Sequence, residues 1–226
     1  MFSSPTIRLC SSVVEQRFCK PLVASSNLVG GLSFCTLMIQ VIDNVISKTY
    51  QDHLEETFFG PSISWSFNPN LTDEGNGEVG FGHNLINPNY RSDQYNYTLP
   101  LIYEISEKSG VNISGVLAAR SFLQVPSISK HDNDLFHVDI QMEHFVFLYY
   151  LNDSDGDTVI SNERYTPDKN QFKSRQYKPE ILEKISPKKG RAVIFDGLLY
   201  HAAGVPKKNN RCVLNFDITD KPLDMD

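Results

Sequence analysis

The sequence predicts a mainly β domain, a sandwich or barrel of short strands, with two helices near its N-terminal end. Three observations predict it. From residue 111 onward, short apolar runs alternate with turns rich in Gly, Asp, Asn and Pro. Two earlier segments carry helical rather than strand spacing. The chain has 226 residues, 40% hydrophobic and 11% aromatic, enough for one sizeable core.

The elements follow in order. Residues 38–42 form a short apolar strand. Asp43 or Asn44 is placed to cap a helix, in which Ile46, Tyr50, Leu54 and Phe58 recur every four residues as one stripe. Gly60-Pro61 ends it. Residues 63–67 read as a strand. Residues 68–96 are rich in Asn, Gly, Asp and Pro and read mostly as loop. A second helix covers residues 99–108, with Pro100 in its first turn and Gly110 just past its end.

Strands then take over. Residues 111–125 are a long, mostly apolar run broken by Arg120. Residues 142–151 are apolar on both faces, as in a central strand covered on both sides; the two helices are the natural cover for one side. Asp153-Ser154-Asp155-Gly156 reads as a hairpin turn, with residues 157–160 as the returning strand. Residues 162–180 are polar loop. Strands at 181–185, 191–195 and 211–218 complete the set, with no internal repeat.

The first 37 residues differ from the rest. Three of the four cysteines, Cys10, Cys19 and Cys35, lie there, and only Cys212 lies beyond. Residues 11–31 resemble the peptide obtained when a transfer-RNA gene is translated by mistake. A signal peptide does not fit, because Glu15, Arg17 and Lys20 interrupt the apolar residues. The expectation is a disordered or non-native extension at 1–37, a true start at Met38, and one domain at 38–226.

Composition excludes several classes. A net charge of −6 disfavours a general nucleic-acid-binding role. No apolar run approaches the length of a membrane span. One cysteine in the main domain makes neither a disulfide scaffold nor a paired-thiol metal site, so a reducing cytoplasm fits.

The chemistry-bearing residues are His137, Asp139, His201 and Arg211. In an extended segment His137 and Asp139, at i and i+2, leave the same face, so an imidazole and a carboxylate can close on one ion. Two His and one carboxylate with open positions are the donor set of non-haem Fe(II) oxygenases. His201, after the strand-like 190–197, is the candidate third ligand. Taken alone, His137 and Asp139 would more often be an ordinary loop pair, and His201 a histidine packed beside Tyr200. Zinc is the rival metal, but closed zinc sites use four N or S ligands. His53-x-Glu55 is an internal control: on a helix, i and i+2 point about 200° apart, so this pair cannot share an ion. His144 is in phase with Tyr150 and reads as packing. Arg211 shares one strand face with Val213, Asn215 and Asp217, a face turned either to water or to a barrel mouth. Arg120, inside an apolar strand, needs an anionic partner and reads as the edge of a substrate pocket or, the commoner case, as half of a structural ion pair.

His137-x-Asp139, His201 and Arg211, with Tyr149-Tyr150-Leu151-Asn152, Asp155-Gly156-Asp157-Thr158 and the strand Lys189 to Phe195, resemble the 2-oxoglutarate- and Fe(II)-dependent dioxygenases, specifically the prolyl-4-hydroxylase-like group. The resemblance covers residues 111–219 well and 39–110 loosely. It implies a double-stranded β-helix, the jelly-roll form shared with cupins. It implies Fe(II) on His137, Asp139 and His201. It implies Arg211 on the distal carboxylate of 2-oxoglutarate, where a guanidinium forks two hydrogen bonds, with help from Tyr150 and, more remotely, Asn215. O2 is the second co-substrate and ascorbate an auxiliary reductant. The implied reaction hydroxylates an unactivated C–H bond and releases succinate and CO2. Two other classes stay open at this point: a jelly-roll binding or structural protein with a vestigial site, and a cupin-like metalloenzyme that uses no 2-oxo acid. The substrate, peptide side chain or small molecule, and the oligomeric state are not legible. Substrate loops are expected at 68–96 and 162–180.

Overall fold

The computed structural model describes residues 39–72 and 77–222; the expectations for residues 1–37 lie outside them. The chain is mainly β, as its composition of short strands predicts. Eleven strands and two helices run in the order β1 (Gln40–Ile42), α1 (Lys48–Phe59), β2 (Ser66–Asn68), β3 (Gly80–Asn87), β4 (Tyr90–Arg91), α2 (Gln94–Ser109), β5 (Gly115–Gln124), β6 (Phe145–Tyr150), β7 (Thr158–Arg164), β8 (Ile181–Ile185), β9 (Ala192–Asp196), β10 (Leu199–Ala203) and β11 (Arg211–Thr219). The major sheet is ordered β1-β9-β6-β11-β5-β3-β2, with β4 on β3, and the minor sheet β10-β7-β8. Every pairing is antiparallel. Two such sheets face to face make the jelly roll.

Side-chain alternation along β6 shows how the layers form. Phe147 and Tyr149 pack outward with Leu54 and Phe58 of α1 and Leu101, Ile102 and Ile105 of α2. Val146, Leu148 and Tyr150 point the other way, into a second cluster with Ile160, Ile185 and Leu199 of the minor sheet. Alternate residues therefore bury against helices on one side and strands on the other, which is why the run lacks a polar face.

Several expected boundaries move. Ser47, not Asp43 or Asn44, caps α1, its hydroxyl accepting from the Tyr50 N–H at 3.4 Å. Asp43 is held instead by Arg191, with Nε 2.6 Å from Oδ1, and Asn44 occupies a left-handed turn at φ 52°. The α2 helix begins at Gln94, five residues earlier than its apolar spacing suggests, so Pro100 stands inside it rather than in its first turn. Gly110 ends α2 in the left-handed conformation, φ 75°, that a side chain would strain.

Three corrections are larger. Residues 68–96 hold β3 and β4, because β3 is completed by pairing with β5, a non-local contact that offsets its weak Gly and Asn content. Residues 153–156 are a crossover and not a hairpin: β6 pairs with β9 and β11 in one sheet, β7 with β8 and β10 in the other. The Asp155 carboxylate fixes that crossover by accepting the backbone N–H groups of Lys207, Lys208 and Asn209 at 3.1–3.2 Å. Finally, His201 lies on a strand, β10, that is not among the strands the sequence predicts. No helix among the described residues is long and apolar enough to cross a membrane.

Candidate metal centre and its cavity

The centre begins with one backbone pairing. His137 and His201 exchange both backbone hydrogen bonds, N–H to O at 3.0 Å each way, as directly opposite residues of an antiparallel ladder do. Opposed residues send their side chains to the same face, so the two imidazoles lie with ring centroids 4.8 Å apart. Asp139 is two residues along an extended segment and rejoins that face. The loop 171–173 holds the other edge of the segment: the Val138 N–H bonds the Gln171 carbonyl at 3.2 Å, and the Lys173 N–H the Phe136 carbonyl at 2.8 Å.

The rings are oriented from behind. His137 Nδ1 meets the Leu135 carbonyl at 3.0 Å and His201 Nδ1 meets the Leu199 carbonyl at 2.9 Å. A carbonyl can only accept, so each Nδ1 carries the hydrogen and each Nε2 keeps its lone pair. His137 Nε2 is 3.7 Å from Asp139 Oδ1 and His201 Nε2 is 3.4 Å from Oδ2. The three donor atoms all lie within 4.8 Å of one another, the one such group of three found among the described residues. His53 and Glu55 both sit on α1, and Glu55 pairs with Lys189, as the control predicts.

Asp139 is itself held. Arg120 Nη2 donates to Oδ1 at 3.2 Å and Asn215 Nδ2 to Oδ2 at 3.0 Å. Burial works to raise its carboxyl, but Arg120 and the two histidines outweigh that and hold it well below the usual carboxylate range. His137 is likewise disfavoured as a cation by burial, yet Asp139 beside it raises its pKa overall. The same Arg120 nitrogen reaches Asp217 Oδ2 at 3.0 Å. Asp217 is fully buried and its carboxyl is pushed up to about 8, first by burial and then by the charge of Asp139, against the pull of Arg120. His144 closes this corner, its Nε2 3.6 Å from Asp217 Oδ1 and its ring against Gly197, where a Cβ would lie 2.1 Å from Nε2.

His137, Asp139, His201, Arg120 and Asn215 line a cavity of about 150 Å³ between the sheets, with Arg211 at its far end. Arg211 is only 3% exposed. Its partners are the Gly156 carbonyl at 2.9 Å, Gln124 Oε1 at 3.2 Å and Thr158 Oγ1 at 2.8 Å. All three are neutral, and burial lowers its pKa accordingly. The polar face of β11 therefore looks into the cavity and not to water.

Of the two expected helpers, Tyr150 lies at the Arg211 end, the guanidinium carbon 5.8 Å from its ring centroid, and its hydroxyl donates to Thr158 Oγ1 at 2.6 Å from outside the cavity lining. Asn215 is instead beside Asp139, four residues along β11 from Arg211. Leu71 and Thr72 from the first expected substrate loop, and Gln171 and Phe172 from the second, line the cavity; Phe172 stacks on His137 with ring centroids 6.2 Å apart. Arg120 answers to both readings of its position, ion-paired with Asp139 and Asp217 and lining the cavity. Its one signal was a charge inside an apolar strand, and only the pairing of Arg120 with Asn215 across β5 and β11 explains it.

No protein-family model and no curated protein matches the chain. Solved structures do match it in shape. The non-haem α-ketoglutarate-dependent epimerase SnoN from nogalamycin biosynthesis aligns with a TM-score of 0.58 at 12% identity, over 80% of this chain and 78% of that one. An oxidoreductase of the 2OG-Fe(II) oxygenase family from Burkholderia pseudomallei aligns with a TM-score of 0.53 at 9% identity, over 81% and 86%. HygX from Streptomyces hygroscopicus, solved with nickel and 2-oxoglutarate bound, aligns with a TM-score of 0.53 at 11% identity, over 83% and 85%. At these identities the likeness is one of fold: the chain shares the jelly roll of these proteins, with a His-Asp-His cluster and a buried arginine inside it.

Proposed function

We propose that this protein is an Fe(II)- and 2-oxoglutarate-dependent dioxygenase that hydroxylates an unactivated C–H bond. One observation carries the reading: a two-histidine, one-carboxylate cluster and a buried cation with only neutral partners face the same small cavity. Both donor sets suit the groups they would hold. His137 Nε2, His201 Nε2 and the Asp139 carboxylate would take Fe(II) and leave positions open for other ligands. Arg211 would take the distal carboxylate of 2-oxoglutarate, supplying the anion its buried charge lacks.

The remaining roles belong to this chain's own atoms. Thr158 Oγ1 accepts from Arg211 and lies 2.6 Å from Tyr150 Oη. With both lone pairs engaged, its hydrogen is left to donate, so Thr158 joins Arg211 on the carboxylate and Tyr150 acts through Thr158. Asn215 orients Asp139 and not the co-substrate. Leu135 and Leu199 hold each imidazole with its Nε2 lone pair toward the centre, and the apolar walls of Val146, Leu148 and Phe195 keep water away. When bound, iron and 2-oxoglutarate together supply the oxidation with O2, releasing succinate and CO2.

The prolyl-4-hydroxylase-like grouping rests on the Tyr149 to Asn152 string and the strand before His201, and leaves a peptide side chain or a small molecule as target. The test is succinate formation from 2-oxoglutarate by the purified full chain with Fe(II) and ascorbate. Succinate released by wild type and lost in His201→Ala supports the proposal. No succinate from a protein that binds metal overturns it in favour of a cupin-like or purely binding role.

A further inference from the structure

Arg120 and Arg211 stand at opposite ends of one cavity wall. Across the sheet, Arg211 pairs with Gln124 and Asn215 with Arg120. The two levels are thus four residues of strand apart, about 13 Å. The His-Asp-His cluster lies at the Arg120 level, because Arg120 and Asn215 both touch Asp139. A co-substrate anchored on Arg211 and reaching the cluster occupies the Arg211 side. The Arg120 side is left for whatever is oxidised.

The donors of Arg120 say what that side recognises. A guanidinium has five N–H groups. Nη2 uses its two on Asp217 and Asp139. Nε is buried without an acceptor. Nη1 has no acceptor among the described residues, and the side chain is 30% exposed on a cavity-lining position. Each edge that could fork onto a carboxylate contains Nη2, which is already committed. The positive charge is likewise already met by the Asp139 carboxylate. A second anion would gain neither a bidentate contact nor an unmatched charge. A neutral oxygen would gain a charge-assisted hydrogen bond and impose a smaller desolvation cost.

We propose that Arg120 recognises the oxidised substrate through a neutral carbonyl oxygen, an amide or ketone, accepting from Nη1 on the side of the cluster away from Arg211. The proposal deepens the reading above and depends on it for the place of the co-substrate. The substrate class follows: a molecule that inserts a small carbonyl-bearing group past Phe172, with the carbonyl close to the carbon to be oxidised. At about 150 Å³ the cavity admits little more beside a five-carbon diacid, so the rest of the substrate stays at the mouth.

The test compares two probes of one size, propanamide and propanoate, of which only the first carries a neutral carbonyl. Each is titrated by ligand-observed NMR into the full chain loaded with Zn(II), with and without 2-oxoglutarate. The amide is expected to bind about tenfold more tightly than the carboxylate. Arg120→Lys, with a single nitrogen to share among three acceptors, is expected to abolish that preference, with Zn(II) affinity measured in parallel so that a loss confined to the metal is recognised. Equal binding, a preference for the carboxylate, binding of neither probe, or an unchanged preference in Arg120→Lys overturns the proposal. If the lysine variant does not fold, arginine-15N-labelled wild type decides it: the Arg120 side-chain signal moves on adding the amide, or the proposal fails. Failure of 2-oxoglutarate to bind is read separately, and overturns the dioxygenase reading without touching the probe result obtained in its absence.

Discussion

Arg211 is the residue at which co-substrate binding and metal binding separate. It touches no residue of the His-Asp-His cluster, and its neutral partners leave its charge to an outside anion. Arg211→Ala is expected to weaken 2-oxoglutarate by about 30- to 1000-fold, the loss of a charge-assisted bidentate contact. Metal affinity should change little, and Arg211→Lys should recover part as a point charge. Isothermal titration with Zn(II) and 2-oxoglutarate checks it; an unchanged 2-oxoglutarate affinity in the alanine variant removes Arg211 from the site. His137→Ala, Asp139→Ala and His201→Ala should each lose most divalent-metal binding, measured by equilibrium dialysis. Near-wild-type binding by any one of them refutes the assignment at that position.

Also at this scale, Glu163 ties the loop after β7 to its strand. Lys173 and Lys169 approach its carboxylate at 2.9 and 3.1 Å, and Tyr177 donates to it. Burial opposes its ionisation, but these donors prevail and bring its pKa down to about 2 from 4.5. The folded pKa lies below the unfolded one. Its stabilisation is therefore complete above pH 4.5 and is lost as pH falls toward 2. With partial exposure discounted, about 1–2 kcal/mol is involved. Glu163→Gln should flatten the acid limb of a stability-against-pH curve and leave neutral-pH urea unfolding less stable by that amount; an unaltered acid limb counts against the coupling.

At the scale of elements, the turn between β9 and β10 decides how closely the two sheets approach. Gly197 lets the His144 ring lie against the backbone, and a Cβ there would sit 2.1 Å from Nε2. The ring is fully buried and backed by Asp217, so it has little room to withdraw. Gly197→Ala is expected to cost about 1–3 kcal/mol as an overpacked site, read as a drop in urea midpoint at constant slope. Wild-type stability would mean that the ring moves freely. The helices matter through one face each. Phe58 is fully buried against the major sheet, and Phe58→Ala should cost about 3–5 kcal/mol while leaving the opposite, cavity-lining face of that sheet unaltered.

At the scale of the whole molecule, the cavity exists only where the sheets close on each other. Arg211 comes from the major sheet, His201 and Thr158 from the minor one, and His137 and Asp139 from a segment laid along β10. A metal and 2-oxoglutarate bound together therefore bridge both layers, and should raise the melting temperature by more than the sum of their separate shifts. At a hundredfold excess over Kd one ligand contributes about 2.7 kcal/mol, which in a domain of this size amounts to about 5–10 °C. Thermal scans with Zn(II), 2-oxoglutarate and both decide the matter; additive or smaller shifts would mean that the two sites are not joined through the cavity.

The sequence by itself determined the local facts. Apolar runs announced β5, β6 and β9, alternation of faces described β11, a four-residue stripe announced α1, and Gly110 marked the end of α2. Spacing of two placed His137 and Asp139 on one face, because strand geometry leaves no other arrangement. The tertiary structure decided whatever depends on partners distant in the chain. It set β3 on β5, sent β6 and β7 into different sheets across what looked like a hairpin, and opposed His201 to His137. It also gave Tyr150 to Thr158, Asn215 to Asp139 and Arg120 to the cavity. Strand propensity and i, i+2 direction are properties of a few consecutive residues. Register and sheet membership are long-range contacts whose stabilisation comes from burying both faces at once, so single-residue patterns carry no trace of them.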